Sequence, residues 1–332
     1  MPWFTLVAAL VAAPALSAAE TLHWPVPWKA GQVLEYRHDN QQVEISGGTR
    51  EEVRVTGNAA MAVEEDAQGL LQVWREHDTR VETIEGDRTT ADLMASVLAE
   101  LEHLPIRLRL HANGRSTDLV NLDDAHSRVR AAMQRVVEAS INGMLHSESE
   151  SLPQEQQDTM RDMLSSILSA QMDGLISHES VDAMLTAVLD DFNAFTGRDY
   201  RHGRKERERG TLHTPLSGRA LPAQREYRLD LNPATPELAT LTWTDTLDQR
   251  AAAPDALWMM LAEIIGDDSL VGSQGRPKGL SVVVEGKIDW KRSDGTILAM
   301  ERLRRTRYGD AHEQLDRDRY VLQAEPDAAP SP

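Results

Sequence analysis

The hydrophobic period of this chain changes twice, and that change limits the available folds more than any motif does. Between residues 31 and 85, short runs rich in β-branched and aromatic residues (Val33–His38, Glu51–Thr56, Leu70–Arg75, Arg80–Ile84) alternate with turn formers. The turn formers are Asp39-Asn40, Ser46-Gly47-Gly48, Gly57-Asn58 and Gln68-Gly69. That spacing predicts an antiparallel meander of hairpins. A helix is predicted over 90–103. Beyond it Leu104, Ile106, Leu108 and Leu110 alternate with His103, Pro105, Arg107, Arg109 and His111, so one face is buried and the other wet. Asn113-Gly114 then predicts a type I′ turn into a strand over 117–120.

From Asp123 to Phe195 the period becomes helical. Three apolar stripes run from Val129 to Leu145, from Met160 to Ile176 and from Val181 to Phe195, each at i, i+3, i+4, i+7 spacing with acids opposite. Period two returns over 226–231 and 239–245. After a helix over 254–265 it returns again in a hairpin of 281–290 with 296–308, and in a last strand over 319–323. In that hairpin Glu285, Lys287 and Asp289 share a face, on which Arg302 and Arg304 of the return strand are expected to pair with Glu285.

Strands, helices, strands: this order predicts an α+β fold. Antiparallel sheet or sheets come from the N- and C-terminal thirds, and a central, largely helical insertion acts as a layer or cap. The expected segments are a signal peptide (1–19), an N-terminal β-rich region (20–121) and the helical insertion (122–197). A charged connector (198–220), a C-terminal β-rich region with one helix (221–324) and a disordered tail (325–332) complete them. In layout alone, with no motif to carry it, the order resembles that of bacterial envelope lipid carriers, in which helices plug a curved sheet.

The address is read from the first residues. Phe4–Ala13 is an uncharged apolar run, Pro14 interrupts it, and Ser17-Ala18-Ala19 supplies small residues before Glu20. That is the pattern of a cleaved signal peptide, although no Lys or Arg precedes the run. A periplasmic or secreted location is expected. A run of about ten residues is too short for a membrane span, which needs roughly 20, and the next best run, Ala256–Ile265, contains Glu263. The chain has no Cys, which excludes disulfides, thiolate metal sites and acylation at a lipobox. A formal net charge of −18, concentrated before residue 196, makes nucleic acid and anionic membranes poor partners.

Catalytic signatures are absent from the sequence. It has no GxSxG, and the Gly272–Lys278 loop lacks the Gly-Lys-Ser/Thr of a phosphate cradle. No HExxH occurs, and Asp191-Phe192-Asn193 opens like a calcium loop without completing one. No cofactor is implied. Two constellations could bind a ligand. The face of His103, Arg107, Arg109 and His111 is a row of donors suited to an anion, or else a solvated hairpin face. Met160, Met163 and Met184, on the aliphatic stripes, could touch an apolar ligand between helices and sheet, or simply fill a core. Trp24-Pro25-Val26-Pro27-Trp28 either stacks on a sugar or peptide or pins an extended N-terminus with its two indoles. Three functions follow. The first is a non-enzymatic binding protein for a lipid-like ligand or an envelope partner. The second is an assembly factor acting through protein contacts, and the third is a hydrolase with dispersed residues.

Overall fold

The computed structural model describes residues 21–86, 88–102, 104–148, 159–163, 176–214, 217–265, 268–310 and 312–323. The signal-peptide segment, His103, most of the second apolar stripe and the tail lie outside the described residues. What is described is mostly β, 51% strand against 25% helix, which corrects the expected α+β class. The strands of both terminal thirds form one sheet, and the helices between them are few.

That sheet is antiparallel throughout, with eleven strands among the described residues. Its N-terminal half is a meander of long strands, β2 (Val33–Ser46), β3 (Thr49–Asp66) and β4 (Gly69–Glu85), extended by β5 (Ile106–Leu110) and β6 (Ser116–Leu119). Its C-terminal half is β8 (Lys205–His213), β9 (Ala220–Leu231), β10 (Leu238–Leu247), β11 (Leu280–Lys291), β12 (Ile297–Tyr308) and β13 (His312–Leu322). The halves join where β13 pairs with β2, in register Tyr320 to His38 and Asp318 to Asn40, giving the order β6-β5-β4-β3-β2-β13-β12-β11-β10-β9-β8. A small second sheet pairs β1 (Thr21–Trp24) with β7 (Arg198–Arg201).

The charged stretch read as a connector is therefore strand. Arg198 and Asp199 pair with Trp24 and His23, and Lys205–His213 forms the β8 edge against β9. Its charges are used across strands, Arg198 with Glu208 at 2.7 Å and Lys205 with Glu226 at 2.6 Å, which is how a polar run without apolar period can still be a strand at a sheet edge.

Four longer helices are described: α1 (Arg88–Leu101), α2 (Leu122–Glu148), α3 (His178–Asn193) and α4 (Pro254–Ile265). Ser177 caps α3, its side chain accepting from the Ser180 amide. None of the described helices is long and apolar enough to cross a membrane. α4 buries Leu257, Met260 and Leu261 against Leu221, Leu247, Leu280, Val282 and Val284, covering one end of the C-terminal half. A larger core lies under the end of α3.

The contacts of two side chains at that end require the sheet to curl. Phe192 meets Tyr36 of β2, Trp74 of β4 and Tyr320 of β13, with ring centroids 5.3, 5.2 and 6.1 Å away. Phe195 meets Tyr227 of β9 and Trp243 of β10, at 6.0 and 5.2 Å. β4 and β9 are seven strand positions apart in the order given. At about 4.8 Å per strand a flat sheet would separate them by roughly 34 Å, far more than two residues one helical turn apart can span. The sheet is thus a trough, and the end of α3 sits in it.

The N-terminal Trp-Pro-Val-Pro-Trp segment straps the trough. Both indoles are buried. Trp24 stacks on Trp290 at 4.5 Å and donates to the Gly295 carbonyl in the β11–β12 turn, while Trp28 donates to the Gly114 carbonyl in the β5–β6 turn. Of the two readings of this segment, pinning is what the contacts show. They also settle the β5–β6 turn. Gly114 has φ +82° and Asn113 is not in the left-handed region, so this is not a type I′ turn. Instead His111 accepts from the Gly114 amide and donates to the Arg115 carbonyl, a longer loop in which the glycine takes the left-handed position. A Cβ on Gly114 would lie 2.7 Å from Thr196 Oγ1, so the strap and the α3 end close directly over it.

Gly286 on β11 faces the same interior, where a Cβ would overlap the Trp243 indole. Replacing it with alanine overpacks the core at an aromatic ring rather than at a flexible chain end. Gly286→Ala is expected to cost about 3 kcal/mol, read as a shift in the urea midpoint with an unchanged slope.

Candidate functional site

The floor of the trough carries a row of charges, two of which, Arg302 and Arg304, the sequence reading assigned to the opposite face. An unbroken β11–β12 ladder continuing the Trp290–Ile297 pair would place Arg302 opposite Glu285, as expected above. The ladder instead shifts register between Asp289 and Trp290, after which Arg302 pairs with Gly286 and Arg304 with Val284. One inserted residue moves every later side chain of β12 to the other face. Arg302 and Arg304 therefore point inward, not toward Glu285.

Once inside, Arg302 is fully partnered. Its Nε donates to Asp191 at 2.9 Å and Nη1 to Asp318 at 3.4 Å. Asp191, on the last turn of α3, also accepts from Arg225 of β9, which is itself held by Asp245 of β10. The sheet thus grips the helix end through a buried Arg225–Asp191–Arg302 bridge. Asn193 adds a reciprocal pair of hydrogen bonds with Gln72 of β4, 3.1 and 2.7 Å. Asp191-Phe192-Asn193, which opens like a calcium loop in sequence, is committed to the protein's own side chains.

The row continues across β13 and β2. Asn40 donates to both Asp316 and Asp318, at 2.8 and 2.9 Å, and His38 stacks on Tyr320 at 4.4 Å between Glu76 and Asp318. Burial opposes the charge on His38, but Asp318 and Glu76 beside it outweigh that and raise its pKa above the ordinary value. Burial raises Asp316 to about 6, with repulsion from Asp318 adding to it. Arg304 lies across from Asp316 in register, and burial together with repulsion from Arg302 pulls its guanidinium down to about 10.

Above this floor the helices do not close down. A cavity of about 550 Å³ lies between them and the sheet. Met94, Val97, Leu98 and Leu101 of α1, Leu185 and Val188 of α3, and Ile106 and Trp74 give it an apolar wall. His38, Asn40, Arg302, Arg304, Asp316 and Asp318 give it a polar floor. Ala183 and Ala187 of α3 also line it, and their short side chains leave the space open.

The chain matches no family model and no curated protein. A solved structure described as "Lipid-protein interactions in lipovitellin" aligns with 89% of this chain and 25% of that chain, at 9% identity and a TM-score of 0.47. The chain thus spans a quarter of that protein's length.

The residues singled out in sequence are distributed differently. Met184 lines the cavity at its rim, 51% exposed. Met160 and Met163 sit on the short helical piece 159–163 and do not line it, Met163 being 57% exposed. Arg109 is held by Asp66 at 2.6 and 2.8 Å, an arrangement that lowers Asp66 to about 2, and Arg107 reaches Glu64 at 4.0 Å. These arginines of β5 reach across β4 to carboxylates of β3 instead of standing free for an anion. His111 is exposed on the adjoining loop. Among the described residues no three His, Asp or Glu side chains cluster as metal ligands would.

Removing Asp191 leaves Arg225 and Arg302 buried around one missing carboxylate. Asp191→Ala is expected to cost about 3–5 kcal/mol, measured by urea unfolding, and to loosen near-ultraviolet dichroism from the aromatic cluster. The pH dependence has a defined sign. His38 and Asp316 both have pKa values raised on folding, so the folded state holds more protons than the unfolded one above their ordinary values. Stability should therefore rise as the pH falls through the raised pKa of His38 and through about 6 for Asp316, before the depressed carboxylates such as Asp66 begin to be lost. His38→Gln should flatten that rise in Tm.

Proposed function

We propose that this protein binds the apolar part of a lipid-like ligand in the cavity between α1, α3 and the sheet, as a carrier or receptor in the cell envelope. The observation that carries this reading is the combination of a 550 Å³ space with a wall of aliphatic side chains from two helices. The size falls within the roughly 300–1,000 Å³ of pockets that enclose small molecules. Each methylene placed against such a wall contributes about 0.8 kcal/mol, so an acyl chain gains affinity without any specific polar contact. Met184 at the rim is a flexible, polarizable side chain of the kind that adapts to an entering ligand. The envelope location is supported by the Phe4–Ala13 run with Ser17-Ala18-Ala19 behind it, and it is checked by N-terminal sequencing of the protein from cells, expected to start at Glu20.

The binding reading is tested by filling the space. Ala187 lines the cavity from α3, and Ala187→Trp would place an indole across it. Wild-type protein should take up a fluorescent acyl probe with micromolar affinity or better, and Ala187→Trp should weaken uptake at least about tenfold (1.4 kcal/mol) with its circular dichroism unchanged. A wild-type protein that takes up no acyl probe would remove the proposal.

A further inference from the structure

Arg302 and Arg304 are two residues apart on one strand, point into the same trough and have opposite fates. Arg302 is closed by Asp191 and Asp318. The Nη2 of Arg304 is sealed from solvent and has no hydrogen-bond acceptor. Two carboxylates attract the guanidinium, Asp316 across the β12–β13 ladder and Glu263 of α4, but neither gives that nitrogen a hydrogen bond, and Asp316 accepts its own from Asn40. A buried guanidinium left unpaired is costly, and an apolar side chain of similar volume would serve the fold better. Such a group is explained when its partner comes from outside. Arg304 lines the cavity, as do the short side chains of Ala183 and Ala187 of α3.

We propose that the Arg304 guanidinium anchors the anionic head of a single-chain lipid, a carboxylate or phosphate, whose chain lies along the α1–α3 wall. This rests on the acyl-binding reading above and adds the head-group class and its residue. A planar fork of donors suits a carboxylate or phosphate, and the low-polarity surroundings strengthen the pair. The anion enters head first, toward the floor, and the wall covers the chain behind it.

The test compares a fluorescent polyene fatty acid with its methyl ester, and with a monoacyl phosphate of the same chain. Wild-type protein should bind the free acid at least about tenfold more tightly than the ester, the scale of one charged hydrogen bond. In Arg304→Met the acid should fall to the level of the ester while ester affinity moves less than about twofold. Arg304→Lys should keep part of the preference. The ligand-free Arg304→Met protein should keep its circular dichroism and lose no Tm, because burying the guanidinium with an unsatisfied nitrogen offsets its attraction to Asp316 and Glu263 in the empty fold. Stronger binding of the monoacyl phosphate than of the acid assigns a phosphate head, and the reverse a carboxylate. If wild-type protein binds acid and ester equally, or Arg304→Met still prefers the acid, the anchor is overturned and the apolar cavity stands. If neither acid nor ester binds, both are overturned.

Discussion

Everything in this fold depends on what holds a long antiparallel sheet in a curl, and the holding is done at one end of one helix. A twisted sheet of many strands has no intrinsic reason to wrap around a helix end without closing on itself. Here the last turn of α3 and the turn that follows it supply the reason. Phe192 and Phe195 collect aromatic side chains from strands on both flanks, and Asp191 joins Arg225 to Arg302 across them. The aromatic contacts are apolar and directionally tolerant, whereas the charge bridge is neither. Buried ions separated from their partner cost far more than the pair contributes when intact. The bridge therefore penalises every sheet curvature but one.

The cavity follows from that arrangement as its remainder. The end of α3 is pulled down onto the sheet, while its earlier turns present alanines over a floor that is partly charged. Charged groups paired with one another gain no hydrogen bond from an aliphatic helix face, so helix and sheet stay apart there. The same floor that prevents collapse also makes the space amphipathic, dry along one wall and charged along the other.

How much of this was legible in the sequence differs by element. An antiparallel meander, the alternation of Leu104–Leu110 and the last hairpin follow from periodicity, but the turns expected at Asp39-Asn40 and Gly57-Asn58 lie inside β2 and β3, and Leu70–Arg75 and Arg80–Ile84 are one strand, β4, because a polar pair between apolar runs does not by itself end a long strand. The fold class was misjudged because stretches without an apolar period, such as Arg198–Arg209, are strands stabilised by cross-strand ion pairs at an edge, a signal that requires knowing the partner strand. Arg302 and Arg304 were misplaced for a sharper reason. Their face depends on one inserted residue near Trp290, and a bulge leaves the composition of a strand unchanged while inverting its orientation. Methionines attracted attention by their chemistry, yet of the three only Met184 reaches the cavity. The alanines that leave it open are invisible as a signal, since a small residue on a helix is the commonest of observations.

The Trp24–Trp28 strap has a consequence for the order in which the molecule can be assembled. Its two indoles donate to turns at residues 295 and 114, and β2 beside it pairs with β13, among the last residues described. The first described strands thus wait for the last. Contacts of such long sequence separation are entropically slow to form, so the N-terminal meander must persist with an open edge at β2 until β13 arrives. During synthesis that edge is a template for any passing strand, and the interval between its formation and its covering, not the stability of the finished trough, is when this chain is most exposed to aggregation.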